Sequence, residues 1–418
     1  MSKKKLLVVA GAGASIELGM PSVSEVGDIL SKKAQERYPL ANEPDNNLYN
    51  WLARTVKDYW DKSGTGQTPN FEDLMHSIFL LSAVYPKGIF TSPLGAMVKT
   101  NDFPDIKLFG RTIDQANQNV WGHFSDFLTD TIIQNFREKC RHLHNERAKE
   151  LGEIQQFFAT LSKQFELSVV TVNYDNIINQ SIPGLENGFD QKGIFNEKLL
   201  FNREQWPCIL HLHGSVHFDM RHTKYDLHDI QWEPNLKTQF NQNAAGRSAV
   251  HADEGITFPQ SVIIAGHGKT SQITRRPFRT YYSELDRLAN QSDALISLGY
   301  GFGDSHLNQA FETYRDNRKR PVVIVDFADD NSISVSAAGN ECNDPSGTIP
   351  MAMCVFKTDS GSMKALGYST PIDIKDIKDQ KAFVLSNDID TPLSIWYNGM
   401  LEACRHPDKI LAQLQMRQ

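Results

Sequence analysis

The stretch Leu6-Leu7-Val8-Val9-Ala10-Gly11-Ala12-Gly13-Ala14-Ser15 decides the fold class. An unbroken apolar run of this length fits a strand buried on both faces, and glycines directly after it mark a tight turn. Lys3-Lys4-Lys5 in front make the stretch imitate a short secretory leader. Its later half is Gly and Ala, and Glu17 follows almost at once. A buried strand feeding a glycine turn is the better reading.

The same signature recurs along the chain. It appears in Leu167-Ser168-Val169-Val170-Thr171-Val172, Cys208-Ile209-Leu210-His211-Leu212 and Ser261-Val262-Ile263-Ile264-Ala265. It appears again in Ala294-Leu295-Ile296-Ser297-Leu298 and Pro321-Val322-Val323-Ile324-Val325. Helical stripes separate several of these runs, one through Ile154, Phe157, Phe158, Leu161 and Phe165, another through Tyr281, Leu285, Leu288 and Ala289. The pattern predicts an α/β protein with a Rossmann-like, doubly wound parallel sheet, whose ligands bind beyond the carboxyl ends of the strands.

Residues 20–166 are too many for one crossover. Their amphipathic pattern, for example Trp121, Phe124, Phe127, Leu128, Ile132 and Phe136, predicts a large helical insertion or lobe. Residues 233–258 read as a long surface loop. Beyond 330 the chain turns loop-like, at Asp329-Asp330-Asn331-Ser332 and Asn343-Asp344-Pro345-Ser346-Gly347, with short strand candidates near 351–356 and 382–386. The organisation expected is a nucleotide-binding core over 1–330 and a C-terminal extension over 331–418 packed on it.

Composition bounds the function. The chain has 418 residues, 40% hydrophobic, which suits two or three domains or one core with an insertion and excludes disorder, collagen and small disulfide scaffolds. Its 43 Lys+Arg against 50 Asp+Glu give −7, so neither direct nucleic-acid binding nor an anionic membrane partner is expected. Five scattered cysteines (Cys140, Cys208, Cys342, Cys354, Cys404) contain no C-x-x-C, which fits free thiols in a reducing cytoplasm better than a metal or disulfide framework. No run approaches a membrane span.

Polar residues gather at the strand ends. After the first strand, Gly11, Gly13 and Gly19 form G-x-G-x5-G, either a structural turn or a close approach to a pyrophosphate. After the second come Asn173-Tyr174-Asp175-Asn176, where Asp175 suits a ligand or a helix cap. The third delivers His211-Leu212-His213-Gly214-Ser215, and strand alternation would put both histidines on one face. Such a pair is core, half a metal site or a base, and no further ligands stand at supporting spacing. The fifth run ends in Gly299-Tyr300-Gly301-Phe302-Gly303-Asp304-Ser305-His306, with Asp304 or Ser305 placed to cap a helix. His306, His217 and Glu72-Asp73 are secondary candidates, Glu72-Asp73 reading as an acidic first turn of a helix. Arg275, Arg276 and Arg279 form a local basic cluster.

Taken in order, Gly11 to Ser15 with Gly19-Met20-Pro21, Thr171 to Asp175, and Leu212-His213-Gly214-Ser215 resemble the sirtuin NAD-binding core. With Gly299 to His306 the set is more similar to the sirtuin-like NAD hydrolases of prokaryotic antiphage defence. Two departures set the chain apart from protein-deacylating sirtuins. It lacks their four-cysteine zinc module, and Pro21 is followed by Ser22-Val23-Ser24 where they carry Asp-Phe-Arg.

The resemblance implies a sirtuin-type core that takes NAD as substrate and needs no metal. Ala12, Gly13, Ala14 and Ser15, with Gly299, Tyr300 and Gly301, would hold the ADP-ribose, and Asp326 would face the adenosine. Asn173, Asp175 and His213 would be catalytic: Asn173 at the ribose or water, Asp175 against the developing positive charge, His213 as general base. The implied activity is hydrolysis of NAD to ADP-ribose and nicotinamide, depleting the cofactor in infected cells. The implied partners are further copies of the chain, as a homo-oligomer, and a HerA-like ring ATPase. A cyclase, an ADP-ribosyltransferase and a non-hydrolytic NAD or ADP-ribose sensor remain alternatives.

Overall fold

The computed structural model describes residues 3–84, 103–108, 111–113, 120–220, 230–236, 250–253, 256–259, 261–266, 269–315, 319–328, 334–335, 342–343, 351–352, 355–356, 374–385 and 392–415. Its centre is a seven-stranded sheet. In chain order the strands are β1 (Lys4–Ala10), β2 (Phe165–Thr171), β3 (Ile209–His211), β4 (Ala294–Leu298), β5 (Val322–Val325), β6 (Val384–Leu385) and β7 (Leu393–Trp396). They lie in the order β6-β7-β5-β4-β1-β2-β3, all parallel except the β6–β7 pair.

β1 sits in the middle because it is apolar on both faces: Leu6 to Ala10 are all fully buried, with Leu6 paired to Leu167 on one side and Ala294 on the other. The chain runs outward from β1 to β3, then returns across to β4 on β1's other side. That reversal puts a crevice at the carboxyl ends of β1 and β4, where open α/β sheets bind ligands.

The helices up to this point of the chain are α1 (Gly13–Ile16), α2 (Val23–Arg37), α3 (Leu48–Lys62), α4 (Phe71–Val84), α5 (Val120–Glu146), α6 (Ala148–Gln164) and α7 (Ile177–Ser181). There follow α8 (Lys198–Phe201), α9 (Thr270–Ile273), α10 (Phe278–Gln291) and α11 (Ser305–Ala310). Among its described residues the stretch between β1 and β2 is mainly helical, with one hairpin of Ile106–Leu108 and Arg111–Ile113. α2 begins in a capping box, Ser22 and Glu25 each accepting the other's backbone N–H, which satisfies two of the helix's orphan donors. α5 buries Trp121, Phe124, Leu128, Ile132 and Phe136, with Phe127 half-buried. Its fully buried Arg137 donates to the carbonyls of Val216 at 3.0 Å and Phe218 at 2.7 Å, tying the insertion to the chain beyond β3.

Four sequence expectations change. The run Ser261 to Ala265 is not a sheet strand. It crosses the turn after β3, where Gly214 (φ +104°) bridges Ile263, and Ile264 donates to the His213 carbonyl at 2.8 Å. Val262, Ile263 and Ile264 are almost wholly buried, so their apolar character reports burial without sheet pairing. Second, the C-terminal extension adds a strand that the sequence reading lacked: β7 pairs with β5 in parallel, Val322 opposite Leu393. Its source, Leu393-Ser394-Ile395-Trp396, is too short a run to stand out. The candidate near 382–386 is β6, whereas 351–352 and 355–356 are helical.

Third, the expected loop over 233–258 includes most of a hairpin, Val250–Asp253 with Ile256–Pro259, while residues 237–249 and 254–255 lie outside the described residues. Of the other loop-like stretches, 329–332 and 344–347 also lie outside them. Fourth, the alternation that would have placed His211 and His213 on one face ends at His211, because β3 ends there and the chain turns. Among the described residues no helix is long and apolar enough to cross a membrane.

Candidate active site

Beyond the carboxyl ends of β1, β2 and β4 the chain encloses a cavity of about 500 Å³, well within the range of small-molecule sites. Two polar groupings line it, and Met20, Val26, Phe71 and Phe136 supply an apolar part of the wall.

The first grouping comes from the ends of β1 and β2. Ser15 Oγ donates to Asp175 Oδ2 at 2.7 Å and accepts from Asn173 Nδ2 at 2.9 Å. The Asn173 amide also donates to the Gly11 carbonyl at 2.8 Å. Asp175 Oδ1 accepts the Ile177 N–H at 3.0 Å, so this carboxylate both caps the turn into α7 and holds Ser15. Burial pushes the Asp175 carboxyl up from its ordinary value, against the Ser15 hydroxyl and the Ile177 N–H, which favour the ionised form. Cys140 lies close by; burial, then the charge of Asp175, push its thiol up, which leaves it unreactive.

The second grouping joins three distant segments. His213 Nε2 lies 2.7 Å from Asp304 Oδ2, and Lys269 Nζ lies 3.1 Å from the same oxygen and 3.2 Å from Nε2. Asp304 is placed by its own cap: Oδ1 accepts the N–H groups of His306 at 2.9 Å and Leu307 at 3.2 Å at the start of α11. Burial alone would raise the Asp304 carboxyl. The hydrogen bond and charge of His213, with the charge of Lys269, outweigh it and hold Asp304 well below the usual carboxylate range. Burial, then Lys269, lowers His213, while Asp304 and Glu72 oppose them; the net direction is downward, toward a neutral imidazole at neutral pH. With Nε2–H donated to Asp304, the electron pair of that neutral ring sits on Nδ1.

A seam of glycines joins the β1 and β4 turns. A Cβ on Gly11 would lie 2.6 Å from Tyr300 Cα, and one on Gly13 would lie 2.8 Å from Gly299 Cα. Gly299 has φ +57°, and its Cβ would meet the Ala14 nitrogen at 2.2 Å. These residues are glycine because two turns touch. The N–H groups of Gly13, Ala14 and Ser15 are donated inside the protein, to Gly299, Gly11 and Ala12. Gly301 and Gly303 differ, since nothing lies within 4 Å of a Cβ on either, and both line the cavity. Between them Phe302 holds φ +55°, an uncommon conformation kept by burying its ring 5.0 Å from Tyr300 and 5.9 Å from Phe356.

Of the residues singled out in the sequence, Ala12, Ser15, Asn173, Asp175, His213, Gly299, Tyr300 and Gly301 line this one cavity, and so do Glu72 and His306. Gly13, Ala14 and Asp326 do not. The Asp326 N–H donates to Trp396 O at 2.8 Å and its carbonyl accepts from the Gly399 N–H at 3.0 Å, so its backbone joins the end of β5 to β7 and the turn beyond, while its Oδ1 accepts from the Phe327 N–H at 2.8 Å.

His211 and His217 belong to the core. His211 is wholly buried beside Phe218 and Trp232, and burial brings its pKa down to about 3. His217 stacks on Trp232 at 4.5 Å, and burial brings it down to about 4. The basic cluster also lies away from the cavity: Arg275 bonds the Ser261 carbonyl and sits over Phe278, and Arg276 pairs with Glu197. Lys269 is the functional candidate that sequence reading missed, and the signal for it is slight: a lysine shortly after a fully apolar run and a glycine turn. Asp304 was legible as a cap, not as the partner of His213.

Residues 167–341, which carry Asn173, Asp175, His213, Lys269 and Asp304, match the family model of the SIR2-like domain. No curated protein matches the chain. Among solved structures, a mutant Sir2 homologue in complex with 2′-O-acetyl ADP ribose is similar at 12% identity, covering 100% of this chain and 96% of that one, with a TM-score of 0.36. A Sir2 homologue in complex with ADP ribose aligns at 11% identity over 100% and 96% of the two chains, TM-score 0.34. Sir2Tm bound to a propionylated peptide aligns at 11% identity over 78% and 83%, TM-score 0.29.

Proposed function

We propose that the protein is an NAD hydrolase that breaks the bond between nicotinamide and ribose and passes the ADP-ribosyl group to water. The match to the SIR2-like domain supports an NAD-processing enzyme. The observation that carries the finer reading is the convergence of Asn173, Asp175 and His213, from two strand ends, on one cavity.

The chemistry suits these groups. As the C1′–N1 bond breaks, its electron pair leaves with the ring and neutralises the pyridinium, and positive charge develops on C1′. Asp175 stands on that side as a carboxylate whose ionised form the Ser15 hydroxyl favours; a cationic substrate beside it favours that form further. Asn173, held by Gly11 and Ser15, presents its amide oxygen to a ribose hydroxyl or to water. Water adds through oxygen to C1′, and its proton passes to the neutral His213 ring. Positioning of that water, in place of a protein nucleophile, supplies much of the acceleration.

The resemblance extends the proposal to the cell. The activity would deplete NAD in the cytoplasm of infected cells, and it would be restrained by assembly as a homo-oligomer and by docking on a HerA-like ring ATPase. The test is nicotinamide release from NAD by the purified protein, alone and with that ATPase, beside Asn173→Ala and His213→Ala. The expected result is release with ADP-ribose as co-product, slowed at least ~100-fold in both variants. A cyclic or transferred product would replace hydrolysis with another fate of the ribosyl group. NAD binding without release in either setting would leave a sensor.

A further inference from the structure

Lys269 is the only Lys or Arg among the described residues lining the cavity, and its side chain is 10% exposed. We propose that Lys269 is a positioning residue: by sharing Asp304 Oδ2 with the His213 ring, it keeps that ring in its neutral, singly protonated form, with the free electron pair on Nδ1. The inference rests on the reading of His213 as the base.

The geometry leaves few arrangements. Asp304 Oδ1 is occupied by the two backbone N–H groups at the start of α11, so Oδ2 alone serves His213 and Lys269. If both donate to Oδ2, the proton is on Nε2 and the electron pair on Nδ1. If Lys269 donates to Nε2 instead, the proton is on Nδ1 and the pair is spent on the ammonium. The 2.7 Å between Nε2 and Oδ2, shorter than the 3.2 Å between Nε2 and Nζ, selects the first arrangement.

A buried carboxylate beside an imidazole, left alone, draws a second proton onto the ring and turns the base into an acid. Lys269 balances that charge. Among the described residues, the charged and titratable groups around His213 are Lys269 before α9, Asp304 at the start of α11 and Glu72 in α4, with Asp175, His306 and the phenols of Tyr174 and Tyr300 in the same cavity lining. Asp304 and Glu72 both favour the imidazolium, and Lys269 opposes them. Without its ammonium the ring holds its second proton to higher pH.

The experiment follows the ring Cε1–H signal of His213 against pH in full-length protein with ¹³C-labelled histidine, the signal assigned by its loss in His213→Asn. In Lys269→Met the midpoint is expected to rise by about one pH unit. Lys269→Arg, which keeps the charge, is expected to hold the wild-type midpoint, and Lys269→Gln serves if the methionine variant does not fold. Nicotinamide release measured in parallel is expected to lose about tenfold on its acid limb in Lys269→Met and to change little at alkaline pH. An unchanged His213 midpoint in the neutral variants overturns the inference whatever the release assay gives. A risen midpoint with no release from the wild type, either alone or with the ring ATPase, upholds the positioning role and overturns the hydrolase reading.

Discussion

The two polar groupings that face the cavity are built in opposite ways. Ser15, Asn173 and Asp175 come from the ends of neighbouring strands, and sheet pairing brings them together, Ala10 lying beside Thr171. His213, Lys269 and Asp304 come from three segments that are not neighbours in the sheet, and only the packing of the Val262–Ile264 run and the α11 cap aligns them. The first is a product of secondary structure and keeps its geometry wherever the sheet forms. The second depends on tertiary contacts, and its charges are more tightly coupled.

That contrast can be broken by substitution. Asp304→Asn has the largest expected effect. It strips Lys269 and His213 of their shared oxygen while sparing the first grouping, so nicotinamide release is expected to fall ~100-fold or more with NAD affinity nearly unchanged. An equal loss of affinity would mean that the two groupings are one unit.

Gly299→Ala comes next, because it strikes the seam beneath both. A Cβ 2.2 Å from the Ala14 nitrogen, at φ +57°, is expected to cost about 3 kcal/mol, read as a lowered denaturant midpoint. Ser15→Ala confines the damage to the first grouping. The variant leaves Asp175 without the hydroxyl that favours its ionised form, so the carboxyl titrates at higher pH and release is lost earlier on acidification, by about tenfold on the acid limb. A pH–rate profile shifted the other way would contradict the role given to that bond. Gly301→Ala is the smallest perturbation. With nothing within 4 Å of the added methyl, stability is expected to stay within about 0.5 kcal/mol of wild type, and any effect falls on substrate entry.

Legibility followed the same division. Leu6 to Ala10 announced a central strand because nothing but burial on both faces explains five apolar residues in a row. Asn173, Asp175 and His213 stood out because polar side chains directly after such a run project from the sheet's carboxyl edge. Ser261 to Ala265 misled for the converse reason: a fully buried segment is apolar whether or not its backbone pairs. β7 was missed since its run is short and carries the polar Ser394, which bonds Gln413.

The glycines carry the sharpest lesson. In sequence, Gly11, Gly13, Gly299 and Gly301 looked alike, each a place for a ligand's close approach. In the fold the first three accommodate one another's backbones, and Gly301 alone of the four has open space around its Cα. By itself the sequence determined five strands of the sheet, the insertion between the first two, and the edge where chemistry gathers, because periodicity and burial are local properties of the chain. Tertiary structure alone decided that Asp304 serves His213 and that Lys269 shares its oxygen. Those are pairings between residues far apart in the chain, and no local pattern of residue types encodes which distant charges a fold brings within three ångströms.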